Sequence, residues 1–130
     1  MGGDHIITIL TEKVSSTYLA HLQSRQISYL FAGRERIDLP LVLEKLATQF
    51  QIKTLMLEGG GKTNGTMLRA GLIDELSLLV APVTDGSSGT PALFDTLDCA
   101  SPEAAGVRWR LHSLERRAGD VVWLRYRQNA

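Results

Sequence analysis

Short runs rich in β-branched residues alternate with amphipathic segments along most of this 130-residue sequence. The strands predicted from this pattern are 5–10, 27–32, 53–58 and 75–83, and the predicted helices are 14–25, 39–50 and 63–70. Helices between strands return the chain, so successive strands pair in parallel. Two alternating runs near the C-terminus, 107–111 and 122–126, flank Ala118-Gly119-Asp120 and predict an antiparallel hairpin. The sequence therefore predicts a three-layer α/β fold over residues 1–130, with a mainly parallel sheet and a C-terminal antiparallel hairpin.

Residues typical of helix ends support these boundaries. Ser15 or Ser16 and Asp38 stand where the N-caps of two helices are expected. Gly71 follows the third helix and is placed to end it in the left-handed conformation. The apolar run 75–83 predicts a strand that is buried on both faces.

Composition excludes several classes of partner. The 14 Lys and Arg residues balance 14 Asp and Glu residues, which argues against binding to nucleic acid or to an anionic membrane. No apolar run reaches the ~20 residues of a membrane span. Cys99 is the single cysteine, which fits a reducing cytoplasm. The three histidines have no Cys or His partner at ligand spacing, so we expect no zinc site.

The segment Leu57–Thr66, with the sequence LEGGGKTNGT, carries the clearest chemical signal. It leaves a predicted strand and enters a helix, and its three glycines let the backbone turn sharply beside a ligand. The N–H groups of a first helical turn attract anions, and the carboxyl ends of strands are where α/β sheets bind ligands. We therefore favour a phosphate or pyrophosphate site over the alternative, a tight turn without a ligand. A side chain at Gly60 or Gly61 is expected to obstruct that anion.

Two common phosphate motifs do not fit this segment. A P-loop ending in Gly61-Lys62-Thr63 requires glycine where Met56 stands, and a dinucleotide fingerprint starting at Gly59 requires glycine where Asn64 stands. Glu58 ends the predicted strand directly before the glycines. Its carboxylate would repel phosphate but can accept hydrogen bonds from hydroxyl groups or a heterocycle N–H, so we expect it beside a ligand; the alternative is a solvated strand end.

At these residues the sequence resembles a known family. The blocks Leu57–Gly61, Leu68–Leu76 and Val80–Val83 occur in the order and spacing of the reductase domain of riboflavin biosynthesis. That domain is the C-terminal part of bifunctional deaminase-reductases and has a dihydrofolate-reductase-like fold. Ile9-Leu10-Thr11 and Ile37-Asp38-Leu39 resemble its leading elements.

The resemblance implies an NADPH-dependent reduction of a ribosylamino-pyrimidine 5′-phosphate to its ribitylamino form, and a homodimer. It implies that Glu58 contacts the substrate and that Thr11 lies near the adenosine side of the cofactor. The residues that match the family's cofactor loop are Gly60, Gly61, Lys62, Thr63, Asn64, Gly65 and Thr66. The candidates by position for the cofactor's 2′-phosphate are Lys13, Arg34 and Arg36. No residue is assigned a catalytic role.

The resemblance covers roughly the C-terminal half of the family's domain. The family's opening strand, which lies between the strand ending at Glu58 and the one beginning near Glu75, has no counterpart here. We expect either a longer polypeptide or a different pairing of these two strands. Two other functions stay open: a catalytically silent binding or assembly module, and a pteridine or folate reductase of the same fold, which the spacing of the blocks disfavours.

Overall fold

The computed structural model describes residues 5–95 and 106–128, so Cys99 lies outside the described residues. Its elements, in chain order, are β1 Ile7–Leu10, α1 Ser16–Ser24, β2 Ser28–Phe31, α2 Leu39–Phe50, α3 Gly61–Arg69, β3 Glu75–Val80, β4 Trp109–Arg116 and β5 Val122–Gln128. The α/β class is thereby confirmed. The chain divides into two compact units, Met1–Met56 and Leu57–Ala130.

In the first unit, β1 and β2 pair in parallel, from Ile7 opposite Ser28 to Leu10 opposite Phe31. The unit's core joins β2 to α2 because alternate positions of the strand and one face of the helix are apolar. Its buried side chains are Leu30, Ala32, Val42 and Leu46. Burying each large apolar side chain of this kind contributes about 1.5–3 kcal/mol, so this cluster is the main stabilising element of the unit.

Both predicted helix caps of the first unit are confirmed. The hydroxyl of Ser15 accepts a hydrogen bond from the backbone N–H of Tyr18 at 3.2 Å. The carboxylate of Asp38 accepts one from the N–H of Leu41 at 3.1 Å. Each bond satisfies a donor that the helix itself leaves unpaired, which stabilises a helix by about 1 kcal/mol.

The prediction of a strand at 53–58 is wrong, since residues 51–60 form no helix or strand. The segment contains the β-branched and apolar residues of a strand, yet the side chains of Leu55 and Met56 are 48% and 79% exposed. A strand exists only beside another strand, and none of the described strands pairs with this segment. Among the described strands, parallel pairing is thus limited to β1 and β2, and there the mainly parallel sheet expected from the alternation is not found.

The second unit contains an antiparallel sheet in the order β3-β5-β4. The predicted hairpin is confirmed: β4 and β5 pair across a 3₁₀ turn at Ala118–Asp120, with a bulge between Leu111 and Ser113. The prediction that β3 is buried on both faces is wrong, because β3 is an edge strand and has no buried residue.

The end of α3 follows the predicted pattern. Gly71 adopts the left-handed conformation with φ 67°. Its N–H donates to the carbonyl of Leu68 at 3.0 Å, and the N–H of Leu72 donates to the carbonyl of Met67 at 3.1 Å. These two bonds form a Schellman motif, which turns the chain out of the helix and towards β3. Within residues 5–95 and 106–128, no helix is both long and apolar enough to cross a membrane.

Candidate functional site

The helix that follows the three glycines begins two residues earlier than predicted. Gly60 is its N-cap, with extended backbone angles and no side-chain cap. The first helical bond runs from the N–H of Asn64 to the carbonyl of Gly60, at 3.1 Å. Helix geometry then leaves the N–H groups of Gly61, Lys62 and Thr63 without an intrahelical acceptor. These three donors lie at the positive end of the helix dipole.

The start of α3 offers N–H donors and one cation to an anion, although Glu58 precedes it and Asp95 contacts Gly61. The first turn of α3 contains no acidic residue, and it includes the exposed Lys62. Among the described residues, no backbone carbonyl accepts a hydrogen bond from the N–H of Gly61, Lys62 or Thr63. N–H groups at a helix start that have no backbone acceptor, together with a nearby ammonium, suit the oxygens of a phosphate or pyrophosphate.

The glycines of this segment differ in what surrounds them. A Cβ at Gly60 would meet no atom within 4 Å, so this backbone position is open. A Cβ at Gly61 would lie 2.4 Å from the carbonyl oxygen of Ala92, and one at Gly65 would overlap the carbonyl oxygen of Asp95. The side-chain positions of Gly61 and Gly65 therefore face neighbouring backbone. That a side chain at Gly60 or Gly61 obstructs an anion stays a prediction, and the open surroundings of Gly60 make it the better position for a test.

Sequence reasoning missed the segment Ala92–Asp95, which we call the strap. The N–H of Asp95 donates to the carbonyl of Gly61 at 2.9 Å, and the side-chain amide of Asn64 donates to the carbonyl of Leu93 at 3.0 Å. Leu93 of the strap lies 29 residues after Asn64 in sequence, in a stretch without periodic pattern. The one available signal was the pair Gly61 and Gly65, whose spacing places two small residues on one helix face.

The other predicted site residues lie as follows. Glu58 is exposed directly before the glycines. Thr63 packs its side chain against Gly59, and the hydroxyl of Thr66 donates to the carbonyl of Lys62 at 2.7 Å. Thr11 belongs to the first unit, where it follows β1 and is half-buried.

The three basic candidates for the 2′-phosphate also belong to the first unit. Lys13 forms an ion pair with Glu35, and Arg34 lies 3.5 Å from the carboxylate of Glu12. Arg36 forms no ion pair with any residue that the structure describes. Since a paired cation has part of its charge compensated, Arg36 is the most available of the three.

A charged cluster on the sheet was also missed. The carboxylate of Glu75 on β3 accepts hydrogen bonds from Arg125 at 2.7 Å and from Arg127 at 2.9 Å, both on β5. The bonds from Arg127 and then Arg125 lower the pKa of Glu75 below its ordinary value of 4.5. This cluster links β3, the strand that follows α3, to its partner β5.

Replacing Glu75 by Gln is expected to lower the melting temperature at neutral pH. A lowered pKa means that the folded state favours the ionised carboxylate, so its stabilisation is fully present above pH 4.5 and is lost as the pH falls through the lower folded pKa. Thermal unfolding from neutral pH to about pH 3 measures this window. Glu44→Gln, on the exposed face of α2, is the control. If the difference in melting temperature between Glu75→Gln and wild type is as large at acid pH as at neutral pH, the ionised carboxylate of Glu75 is not what stabilises the fold.

Comparison with known proteins identifies a family and several relatives of this chain. A family model described as the RibD C-terminal domain matches residues 2–123. The 2,5-diamino-6-ribosylamino-4(3H)-pyrimidinone 5′-phosphate reductase of Methanothermobacter thermautotrophicus is 37% identical over 86 residues, which are 66% of this chain and 39% of that protein. The protein of the same name from Aquifex aeolicus is 30% identical over 87 residues, which are 67% of this chain and 38% of that protein.

Solved structures show the same fold. A pyrimidine reductase-like protein from Corynebacterium diphtheriae matches 95% of this chain with a TM-score of 0.72 and 22% identity, and the match covers 49% of that protein. RibD from Acinetobacter baumannii matches 95% of this chain with a TM-score of 0.70 and 25% identity, and 31% of that protein is covered. This likeness is consistent with the expected dihydrofolate-reductase-like fold. The chain spans less than half the length of each of these four proteins.

Proposed function

The chain belongs to the family of RibD C-terminal domains, and from this premise we propose that it is the cofactor-binding part of a reductase of riboflavin biosynthesis. The proposed cofactor is NADPH and the proposed substrate is a phosphorylated ribosylamino-pyrimidine. The relatives from Methanothermobacter and Aquifex support the substrate class, since both are named as reductases of such a compound. NADPH, when bound, supplies the hydride for the reduction.

The observation that carries this proposal is the open start of α3. Three N–H groups without a backbone acceptor, an exposed Lys62 and a backbone position free of neighbours at Gly60 suit a pyrophosphate, the part that every nicotinamide dinucleotide contains. The residues present thus fit the cofactor. Glu58, directly before this turn, is proposed to meet the substrate, and Thr11 and Arg36 are proposed to meet the adenosine side and its 2′-phosphate.

The proposal has a direct binding test. NADPH is expected to bind the wild-type chain, and Gly60→Val is expected to weaken that binding by at least about tenfold, a loss of ~1.4 kcal/mol, because the new side chain enters the space where the anion would lie. Titration calorimetry measures both affinities. Gly86→Val is the control, since a Cβ at Gly86 also meets no atom within 4 Å. Equal NADPH affinity in Gly60→Val and wild type would refute the anion site.

A catalytically silent binding module is the second candidate. Such a module would retain the glycine segment and bind NADPH without turning over a substrate, so binding alone does not separate the two candidates. Turnover by a protein that also contains the rest of the family's domain does separate them. The pteridine or folate alternative gains no support, since the relatives that the chain matches are named as pyrimidinone reductases.

We also propose a homodimer in a reducing cytoplasm. Exposed apolar side chains on the edge strands β3 and β4 support association, among them Leu79 at 65% and Leu114 at 61% exposure. Light scattering at about 50 μM, a concentration that populates even weak dimers, is expected to give twice the mass of the chain. A mass of one chain, near 14.3 kDa, would count against the dimer.

A further inference from the structure

The strap is attached to one face of α3 at three positions within a single helical turn. The carbonyl of Gly61 accepts from the N–H of Asp95, the amide of Asn64 donates to the carbonyl of Leu93, and Gly65 leaves the space that the carbonyl of Asp95 occupies. Positions i, i+3 and i+4 share one face of a helix. The strap therefore lies along the side of the same turn whose N–H groups form the proposed anion site.

This attachment restrains a glycine-rich part of the chain. Glycine loses more conformational freedom on ordering than any other residue, and α3 is preceded and started by Gly59, Gly60 and Gly61. The strap holds the carbonyl of Gly61 in place before any ligand binds. Donors that are already ordered bind an anion more tightly, because less conformational entropy is lost on binding.

The side chain of Asn64 is committed to the strap. Its nitrogen donates to Leu93, while its oxygen is buried and has no hydrogen-bond partner among the described residues. A buried polar atom without a partner is unfavourable, so the contact with Leu93 is what holds the amide in this position. An effect of Asn64 on a ligand would therefore be transmitted by the strap and the helical turn.

We propose that Asn64 is a positioning residue, which ties the strap to the first turn of α3 and so raises the affinity of that turn for pyrophosphate. This inference rests on the proposed function, because the pyrophosphate is that of NADPH. It assigns to Asn64 and Gly65 a role distinct from direct contact with the cofactor. By linkage, an anion bound to the turn must in return stabilise the attachment of the strap.

The experiment uses inorganic pyrophosphate and NADPH as separate probes. In the wild-type chain, pyrophosphate is expected to slow hydrogen exchange of the Asp95 amide, which NMR follows. Asn64→Leu removes the side-chain amide without adding charge. It is expected to speed that exchange and to lower the affinities for pyrophosphate and for NADPH by about tenfold each. Thr48→Val is the matched control, since it removes a side-chain-to-carbonyl bond of 2.8 Å from α2. Gly65→Ala, if folded, is expected to act like Asn64→Leu.

The outcomes distinguish this proposal from the function on which it rests. The positioning role is overturned if pyrophosphate binds but leaves the hydrogen exchange of the Asp95 amide unchanged. It is also overturned if Asn64→Leu binds pyrophosphate with wild-type affinity. Failure of the wild-type chain to bind pyrophosphate overturns it as well. If pyrophosphate binds with the expected coupling but NADPH does not bind, the positioning role stands and the proposed cofactor is wrong.

Discussion

A protein that consists only of these 130 residues is expected to bind NADPH and yet to reduce the ribosylamino-pyrimidine phosphate at no measurable rate. Hydride transfer needs donor and acceptor held ~3–3.5 Å apart in a reactive geometry. The start of α3 can hold the pyrophosphate and Glu58 can meet the substrate, but the chain spans only 39% and 38% of the two reductases it matches. Losing substrate orientation forfeits much of the ~7–11 kcal/mol that proximity supplies. That loss lowers the rate by about five or more powers of ten.

The assay for this prediction follows the oxidation of NADPH by its absorbance, with the authentic substrate. A protein extended to contain the rest of the family's domain is the positive control. Clear turnover by the 130-residue protein, with its mass verified, would contradict the prediction and would mean that the residues in hand, or a second copy of them, complete the site.

Gly33→Ala is expected to destabilise the first unit severely. Gly33 follows β2 with φ 101°, and its carbonyl accepts the N–H of Glu12, which fixes the ends of β1 and β2 beside each other. A Cβ at this position would lie 2.0 Å from the carbonyl oxygen of Arg36. The backbone conformation alone costs about 1–3 kcal/mol for a residue with a side chain, and the overlap adds to that cost. Against a total stability of about 5–15 kcal/mol, the change is large.

Urea unfolding, followed by circular dichroism, measures the loss. Gly86→Ala is the control, because a Cβ at Gly86 is unobstructed and the residue has no positive φ. A Gly33→Ala protein with the midpoint of the wild type would show that the turn after β2 is not held as described.

Local signals in the sequence were sufficient wherever the structure depends on neighbours in the chain. The caps at Ser15 and Asp38 and the left-handed Gly71 could be predicted because each is determined by a few adjacent residues. The hairpin of β4 and β5 could be predicted for the same reason, since its strands are joined by a short turn. The glycine segment was likewise correctly expected to enter a helix.

Features that depend on distant parts of the chain could not be predicted in this way. The segment 53–58 has the composition of a strand, but composition does not supply the neighbouring strand that it needs. Residues 75–83 resemble a buried strand, yet the position of β3 at an edge leaves Leu79 exposed. The strap was missed because its contacts with α3 are made largely by backbone groups, and such contacts cannot be recognised from the pattern of residue types.

The central claim is that the first turn of α3 binds the pyrophosphate of NADPH through the N–H groups of Gly61, Lys62 and Thr63, and NMR of the ¹⁵N-labelled chain tests it most directly. On addition of NADPH, the largest shifts in the second unit are expected at the amides of Gly61, Lys62 and Thr63. The same amides are expected to respond to inorganic pyrophosphate. Saturating NADPH that shifts other amides of the chain and leaves these three unchanged would contradict the claim.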